Sequence, residues 1–103
     1  MSTKDSARIE ALWEKLPHLP LGQVPDDLPE KEPLLYRRIV AKRAILAGYE
    51  AGEPPAQLIS DLLADLRHLC DGLGLDFGEL DRLAFRHYAT ERVQAMERGY
   101  LRS

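Results

Sequence analysis

The stretch that decides the fold is DGLGLDFGEL at residues 71–80, which joins two long helical patterns. Asp76 followed by Glu79 has the spacing of a capping box, in which each side chain satisfies a free amide at the start of a helix. A helix is therefore expected to begin at about Phe77. Gly72 is the expected cap of the preceding helix, because glycine adopts the left-handed conformation that ends helices.

The helix before this turn is indicated by apolar residues that recur at helical spacing. They are Leu58, Ile59, Leu62, Leu63, Leu66, Leu69 and Cys70. Pro54 and Pro55 are expected to open this helix, since proline is tolerated in a first turn. The five-residue connection 72–76 makes the two helices neighbours in space. We therefore predict a helix-turn-helix hairpin at residues 54–98.

Two further helices are predicted nearer the amino terminus. The first is marked by Ile9, Leu12, Trp13 and Leu16, which share one helix face. Pro17 ends it, because proline lacks the amide hydrogen that a helix requires. The second begins near Pro33 and ends at Gly48 or Gly52. The proline-rich segment 17–33 between them is expected to connect the first helix to the rest without helical structure.

Composition limits the chain to one small domain. It has 103 residues, 45% of them hydrophobic and 30% charged, with a net charge of −3. No β-branched alternation indicates a strand, so we predict one all-α domain of three to four helices over residues 1–103. The single cysteine, Cys70, excludes an internal disulfide and favours a reducing compartment. No run approaches the ~20 apolar residues of a membrane span, and the first residues offer no apolar signal core. We expect a cytoplasmic protein without a membrane contact.

The acids around the turn suggest a calcium loop, but their spacing is wrong. An EF-hand needs oxygen ligands at loop positions 1, 3, 5 and 12. Counted from Asp71, positions 3, 5 and 12 are Leu73, Leu75 and Arg82. The acids are better explained as helix caps, and no metal is predicted.

Catalytic patterns are also missing from the sequence. The candidate ligands and nucleophiles His18, His68, Cys70 and His87 do not have the paired spacing of a zinc site. No serine stands in a Gly-x-Ser-x-Gly turn, and there is no phosphate-binding glycine loop. We therefore predict no enzyme activity and no cofactor.

A DNA-binding helix-turn-helix is the alternative interpretation of the hairpin. Aligning Gly74 with the turn glycine of that motif places leucines and Cys70 at its apolar positions. The outward side chains of the following helix, however, include Glu79 and Asp81, which the phosphate field repels. The basic residues that would serve such a function are Arg37, Arg38, Lys42, Arg82 and Arg86.

The second predicted helix concentrates positive charge. Its basic residues are Arg37, Arg38, Lys42 and Arg43, with no acid between residues 34 and 49. Arg43 falls near the centre of the apolar arc of that helix, where a cation needs an acid or a partner. We expect a charge match with Asp61, Asp65 and Asp71 of the third predicted helix, in preference to nucleic acid.

The sequence also resembles a known group of proteins. The fragments DLLADLRHLCD at residues 61–71 and GLDF at 74–77, with Ala84 and His87-Tyr88, are similar to small uncharacterised helical proteins of bacteriophages, prophages and plasmids. The resemblance covers about a third of the chain. It implies a compact helical hairpin and a mobile-element origin, and no catalytic or ligand residues.

These features together predict a non-catalytic protein that binds another macromolecule. We expect a regulator or inhibitor that docks on a protein partner or on a second copy of itself. Aromatic and arginine side chains are the usual anchors of such contacts. The candidates are Trp13, Tyr36, Arg38, Arg43, Phe85 and Tyr100.

Overall fold

The computed structural model of the chain describes residues 3–50 and 52–99. Its α-helices are α1 (Thr3–Lys15), α2 (Leu28–Lys31), α3 (Pro33–Gly48), α4 (Pro55–Leu73) and α5 (Phe77–Glu97). The all-α prediction is confirmed, with helices α1, α3, α4 and α5 corresponding to the four predicted from the sequence. The described residues contain one short helix more than was expected.

The extra helix corrects the prediction for the proline-rich segment. A single turn of 3₁₀ helix occupies Leu21–Gln23, and α2 follows at Leu28–Lys31. Pro29 stands in the first turn of α2. A proline there breaks no hydrogen bond, because first-turn amides have no partner inside the helix. The prolines therefore limit the length of helix in this segment without excluding it.

The turn between α4 and α5 is shorter than predicted. Helix α4 continues through Gly72, and its left-handed cap is Gly74, with φ of 70°. The Leu75 amide donates to the Cys70 carbonyl at 2.9 Å, and the Gly74 amide donates to the Asp71 carbonyl at 3.4 Å. This is the Schellman arrangement, which satisfies carbonyls that a helix end leaves free. The prediction that Gly72 caps α4 is wrong. Gly72 and Gly74 both suit the end of a helix by local sequence rules, and the structure uses Gly74.

The start of α5 agrees with the sequence prediction. The Asp76 carboxylate accepts a hydrogen bond of 3.2 Å from the Glu79 amide, and the helix begins at Phe77. Because Gly74 ends α4 and Asp76 caps α5, only residues 74–76 separate the two long helices.

The two glycines near the turn provide a test of the cap. We expect Gly74→Ala to lower the free energy of unfolding by about 1 kcal/mol, because alanine is strained at positive φ. The matched control is Gly72→Ala, which lies inside α4 with open space around the added methyl group. It should raise the free energy of unfolding by up to about 1 kcal/mol. Urea unfolding followed by circular dichroism measures both, and the reverse order would place the helix end at Gly72.

Helix α3 lies at the centre of the fold. It contacts α2, α4 and α5, and α1 contacts α4. The buried apolar side chains of the described residues are Ile39, Ile45, Pro55, Leu58, Cys70 and Ala95. Such a core is small for a chain of 103 residues.

A lysine fastens α1 to the centre of the fold. Lys42 of α3 is only 5% exposed. Its ammonium donates to the carbonyls of Trp13 at 2.6 Å and Leu16 at 2.7 Å, and lies 4.6 Å from the centre of the Trp13 ring. Carbonyls at a helix carboxyl end carry partial negative charge and lack partners within the helix. The buried charge is therefore satisfied by the end of α1.

Removing this ammonium should release α1. We expect Lys42→Met, which keeps an unbranched apolar side chain, to lower the free energy of unfolding by about 3 kcal/mol through loss of two hydrogen bonds to a charged donor. Trp13 fluorescence should shift to longer wavelength as its ring becomes hydrated. The control is Lys31→Met, whose exposed ion pair with Asp27 should contribute less than about 1 kcal/mol. Equal effects of the two variants in urea unfolding would contradict the clamp.

Candidate protein-interaction surface

A row of leucines and one isoleucine along the hairpin is uncovered. We call this surface the hairpin face. It comprises Ile59, Leu63, Leu66, Leu69 and Leu73 of α4, Leu75 of the turn, and Leu80 and Leu83 of α5. Each of these side chains is exposed, up to 63% for Leu73. Of the large exposed apolar residues among those described, only Leu12 lies outside residues 59–96.

The spacing on α4 is that of a helix in the interior of a bundle. Its apolar residues occupy positions a, d and e of two successive heptads. They are Ile59, Leu62, Leu63, Leu66, Leu69, Cys70 and Leu73. This is the pattern that a core-facing helix needs, because three positions in seven form one continuous apolar stripe. Only Cys70 of this set is buried and Leu62 is half-buried, so most of the stripe remains exposed to solvent.

The acids of α4 lie off this stripe. Asp61, Asp65 and Asp71 occupy heptad positions c, g and f, and none interrupts the apolar residues. Asp61 accepts a hydrogen bond from Gln57 at 2.9 Å. We expected these acids to pair with the arginines of α3. Among the described residues, no ion pair joins them. The described ion pair from α3 runs instead to α5, between Arg37 and Glu91 at 3.0 Å.

A tyrosine at the end of α3 positions α4. The Tyr49 hydroxyl donates a hydrogen bond of 2.5 Å to the Asp65 carboxylate. This hydrogen bond, with burial and the charges of Asp65 and Asp61, raises the pKa of Tyr49 to about 12. The folded state therefore favours the neutral phenol of Tyr49. Its partner, Asp65, lies one helical turn before Leu69 on α4.

Helix α5 is positioned by its second half. Ala95 is 1% exposed, so its small side chain allows α5 to approach α3 closely. Near the turn, the Arg67 guanidinium of α4 lies 4.3 Å from the centre of the Phe77 ring of α5. The hairpin is therefore fixed at the turn and at the far end of α5, and the leucines between these points stay exposed.

The predicted partner-binding residues do not gather at one place. Trp13 is engaged by Lys42, and Tyr36 is half-buried with the Arg37 guanidinium 5.9 Å from its ring centre. Arg38 is exposed, whereas Arg43 is half-buried with its Nη1 atom lacking a hydrogen-bond partner. Phe85 is 65% exposed, and Tyr100 lies outside the described residues.

Two of the five basic residues proposed to bind nucleic acid already have polar partners within the chain. Lys42 is committed to the carbonyls of Trp13 and Leu16, so its assignment as a phosphate contact is corrected. Arg37 pairs with Glu91. Arg38, Arg82 and Arg86 are exposed, but on separate helices, α3 for the first and α5 for the other two.

Few features of the described residues suggest small-molecule chemistry. In residues 3–50 and 52–99, no three His, Cys, Asp or Glu side chains gather where they would hold a metal ion. Cys70 is a free, buried thiol. One surface depression is lined by residues 79–83, 85 and 86, all from α5, so it would contact a ligand from one side only. None of the described helices has the length and apolar character to cross a bilayer.

The hairpin face was missed because the sequence pattern was assigned to the interior. Periodicity shows that a helix has an apolar side, and it does not show what covers that side. The spacing of the leucines carries no signal of their exposure, which depends on how the other helices pack.

Comparison with protein-family models, with curated proteins and with solved structures finds no match for this chain. The resemblance to bacteriophage and plasmid proteins therefore stays a prediction.

The tyrosine contact predicts a pH dependence. Because the folded pKa of Tyr49 exceeds the ordinary value of 10, its stabilising contribution is complete below pH 10 and is lost as the pH rises toward 12. The absorbance difference at the tyrosinate band between the natural protein and Tyr49→Phe should titrate near 12. Asp65→Asn should move that titration back toward 10. Asp71→Asn is the control, and an equal shift in both variants would contradict the role of Asp65.

Proposed function

We propose that this chain is a non-catalytic, cytoplasmic protein that acts by binding another protein through its hairpin face, as a regulator or inhibitor of mobile-element type. The observation that carries the proposal is the continuous exposed leucine stripe of α4. Monomeric proteins rarely expose apolar patches beyond a few hundred Å², and larger ones mark interaction surfaces.

The energy available from this surface is sufficient for binding. Fully burying one leucine side chain contributes about 1.5–3 kcal/mol. Leu69 and Leu73 are 57% and 63% exposed, so a partner that covered them would remove most of each side chain from water. Several such residues in one row offset the entropy lost on association, which is of order 4–15 kcal/mol.

The chemistry of the hairpin face defines the surface that it fits. It is apolar, with acids along the other positions of α4, and therefore matches an apolar helix face or groove. Phe85 extends the exposed apolar surface on α5, with its ring centre 6.1 Å from that of Tyr88. Together these two rings offer the aromatic anchors that protein interfaces favour.

DNA binding through α5 is the second candidate function. Arg82 and Arg86 are exposed and stand one helical turn apart, which suits contact with successive phosphates. Glu79 and Asp81 lie in the same part of α5 and carry opposing charge. This candidate has weaker support because Lys42 is committed to α1.

Charge placed on the hairpin face separates the two functions. The test variant is Leu69→Glu with Leu73→Glu, and the control is Ala64→Glu, which lies on the opposite side of α4 by helical spacing. We expect the immobilised natural protein and the control to retain the same bound proteins, and the leucine variant to lose them. Retention of the same proteins by all three would contradict protein binding through this face, as would capture of no protein by a chain that is also monomeric in solution.

The DNA alternative has its own measurement. Fluorescence anisotropy with a random DNA duplex at low salt should show no binding under the proposed function. Groove or phosphate binding would instead show an affinity that falls steeply as salt is raised, and Arg82→Ala with Arg86→Ala would weaken it.

A further inference from the structure

We propose that the hairpin face is covered by a second copy of this chain, so that α4 and α5 of two chains form an intermolecular four-helix bundle. This inference rests on the proposed function, because it names the partner of the same surface. Three observations support it: the surface area, the composition of the stripe and the size of the core.

The chain exposes far more surface than its mass requires. Its accessible area is 8084 Å² for 11.7 kDa. A compact monomer of this mass has about 5,900 Å². The radius of gyration is 15.5 Å, against about 13 Å for a compact chain of this length.

The excess area has the size of a permanent dimer interface. It is about 2,200 Å² for each chain. Obligate dimers bury about 1,000–2,500 Å² for each partner, whereas a standard specific interface buries about 800 Å² and a weak transient contact less than about 600 Å². A short peptide docked on the hairpin would leave most of this excess exposed.

The stripe is suited to meeting its own copy. In a two-fold dimer the same patch lies on both sides of the interface, so a charge within it would be buried in both copies and, near the axis, would face a like charge. No charged residue occupies positions a, d or e from Ile59 to Leu73, and Asp61, Asp65 and Asp71 lie at other heptad positions. Two copies therefore bring apolar residues together without opposing acids.

The small core favours a partner that is always present. Among the described residues, six apolar side chains are buried, of which one is an alanine, one a cysteine and one a proline. Additional burial stabilises the fold when a partner binds the folded state alone. A second copy is available wherever the chain is made, whereas a different protein would leave the hairpin face uncovered in its absence.

The first test is the oligomeric state of the full chain. Light scattering and sedimentation over a range of concentrations should give twice 11.7 kDa, with dissociation on dilution. The thermal midpoint should rise with protein concentration. A single-chain mass and a concentration-independent midpoint would overturn the proposal, as would an open series of larger assemblies.

The second test locates the interface. Leu69→Ala removes a side chain that is already 57% exposed in the single chain, so it leaves no cavity there. We expect dimerisation to weaken by at least about 100-fold, because each dimer loses two interface leucines. Ala64→Glu should change the dissociation constant by less than about 3-fold, as an exposed surface substitution does.

The outcomes distinguish this inference from the proposed function. A dimer that Leu69→Ala leaves intact would overturn the assignment of the hairpin face. A monomer whose binding to another protein still requires Leu69 and Leu73 would overturn the dimer and leave the proposed function standing. A dimer that dissociates in Leu69→Ala and persists in Ala64→Glu supports both.

Discussion

Covering the leucines of the two longest helices is the constraint on which the rest of this structure depends. Helices α4 and α5 together carry eleven of the thirteen large apolar residues that are exposed among those described, and the three helices before them are shorter. Those helices cover the start of α4 and the end of α5. The middle of the hairpin stays in water. Since burial of apolar surface is the dominant favourable term in folding, an uncovered stripe of this length has a direct thermodynamic cost. The cost is removed only by another surface.

Polar contacts that do not require a large core join α3 to α1 and to the hairpin. The Lys42 ammonium binds the end of α1, the Tyr49 hydroxyl binds Asp65 of α4, and Arg37 pairs with Glu91 of α5. Each contact joins α3, or the residue that caps it, to a different helix. An exposed ion pair contributes little, whereas a buried ammonium with satisfied donors cannot be moved without leaving a charge or a carbonyl unpaired. The position of α1 is therefore specified more by Lys42 than by apolar packing.

Much of the fold is readable from local sequence signals. Pro33, Pro55 and Asp76 mark helix starts because their conformations and side chains suit a first turn, and the structure uses all three. The left-handed cap was misplaced by two residues, since Gly72 and Gly74 satisfy the same local rule. Only packing and hydrogen bonds decide between them. Helix α2 was missed because one turn of helix has no apolar periodicity to detect.

The site was less predictable than the fold for a physical reason. Aromatic and arginine residues were chosen as anchors by residue type, but Trp13 and Lys42 engage each other inside the chain. The exposed leucines were invisible as a surface because their spacing is identical to that of a buried helix. Exposure depends on what the remaining residues can cover, which is a property of the whole chain.

The lysine at the end of α1 has a consequence for how this protein tolerates change. Helices commonly end at a glycine whose amide returns to the last carbonyls, which fixes the path of the next residues. Here the Lys42 side chain of α3 donates to the last carbonyls of α1. The backbone after Leu16 is therefore not needed as a donor to them. The exposed residues Pro17 and His18, which precede the 3₁₀ turn at Leu21–Gln23, are thereby released from local sequence requirements. Insertions, deletions and affinity tags should be accommodated there, far from the turn at Gly74, where each residue is needed for the helix ends.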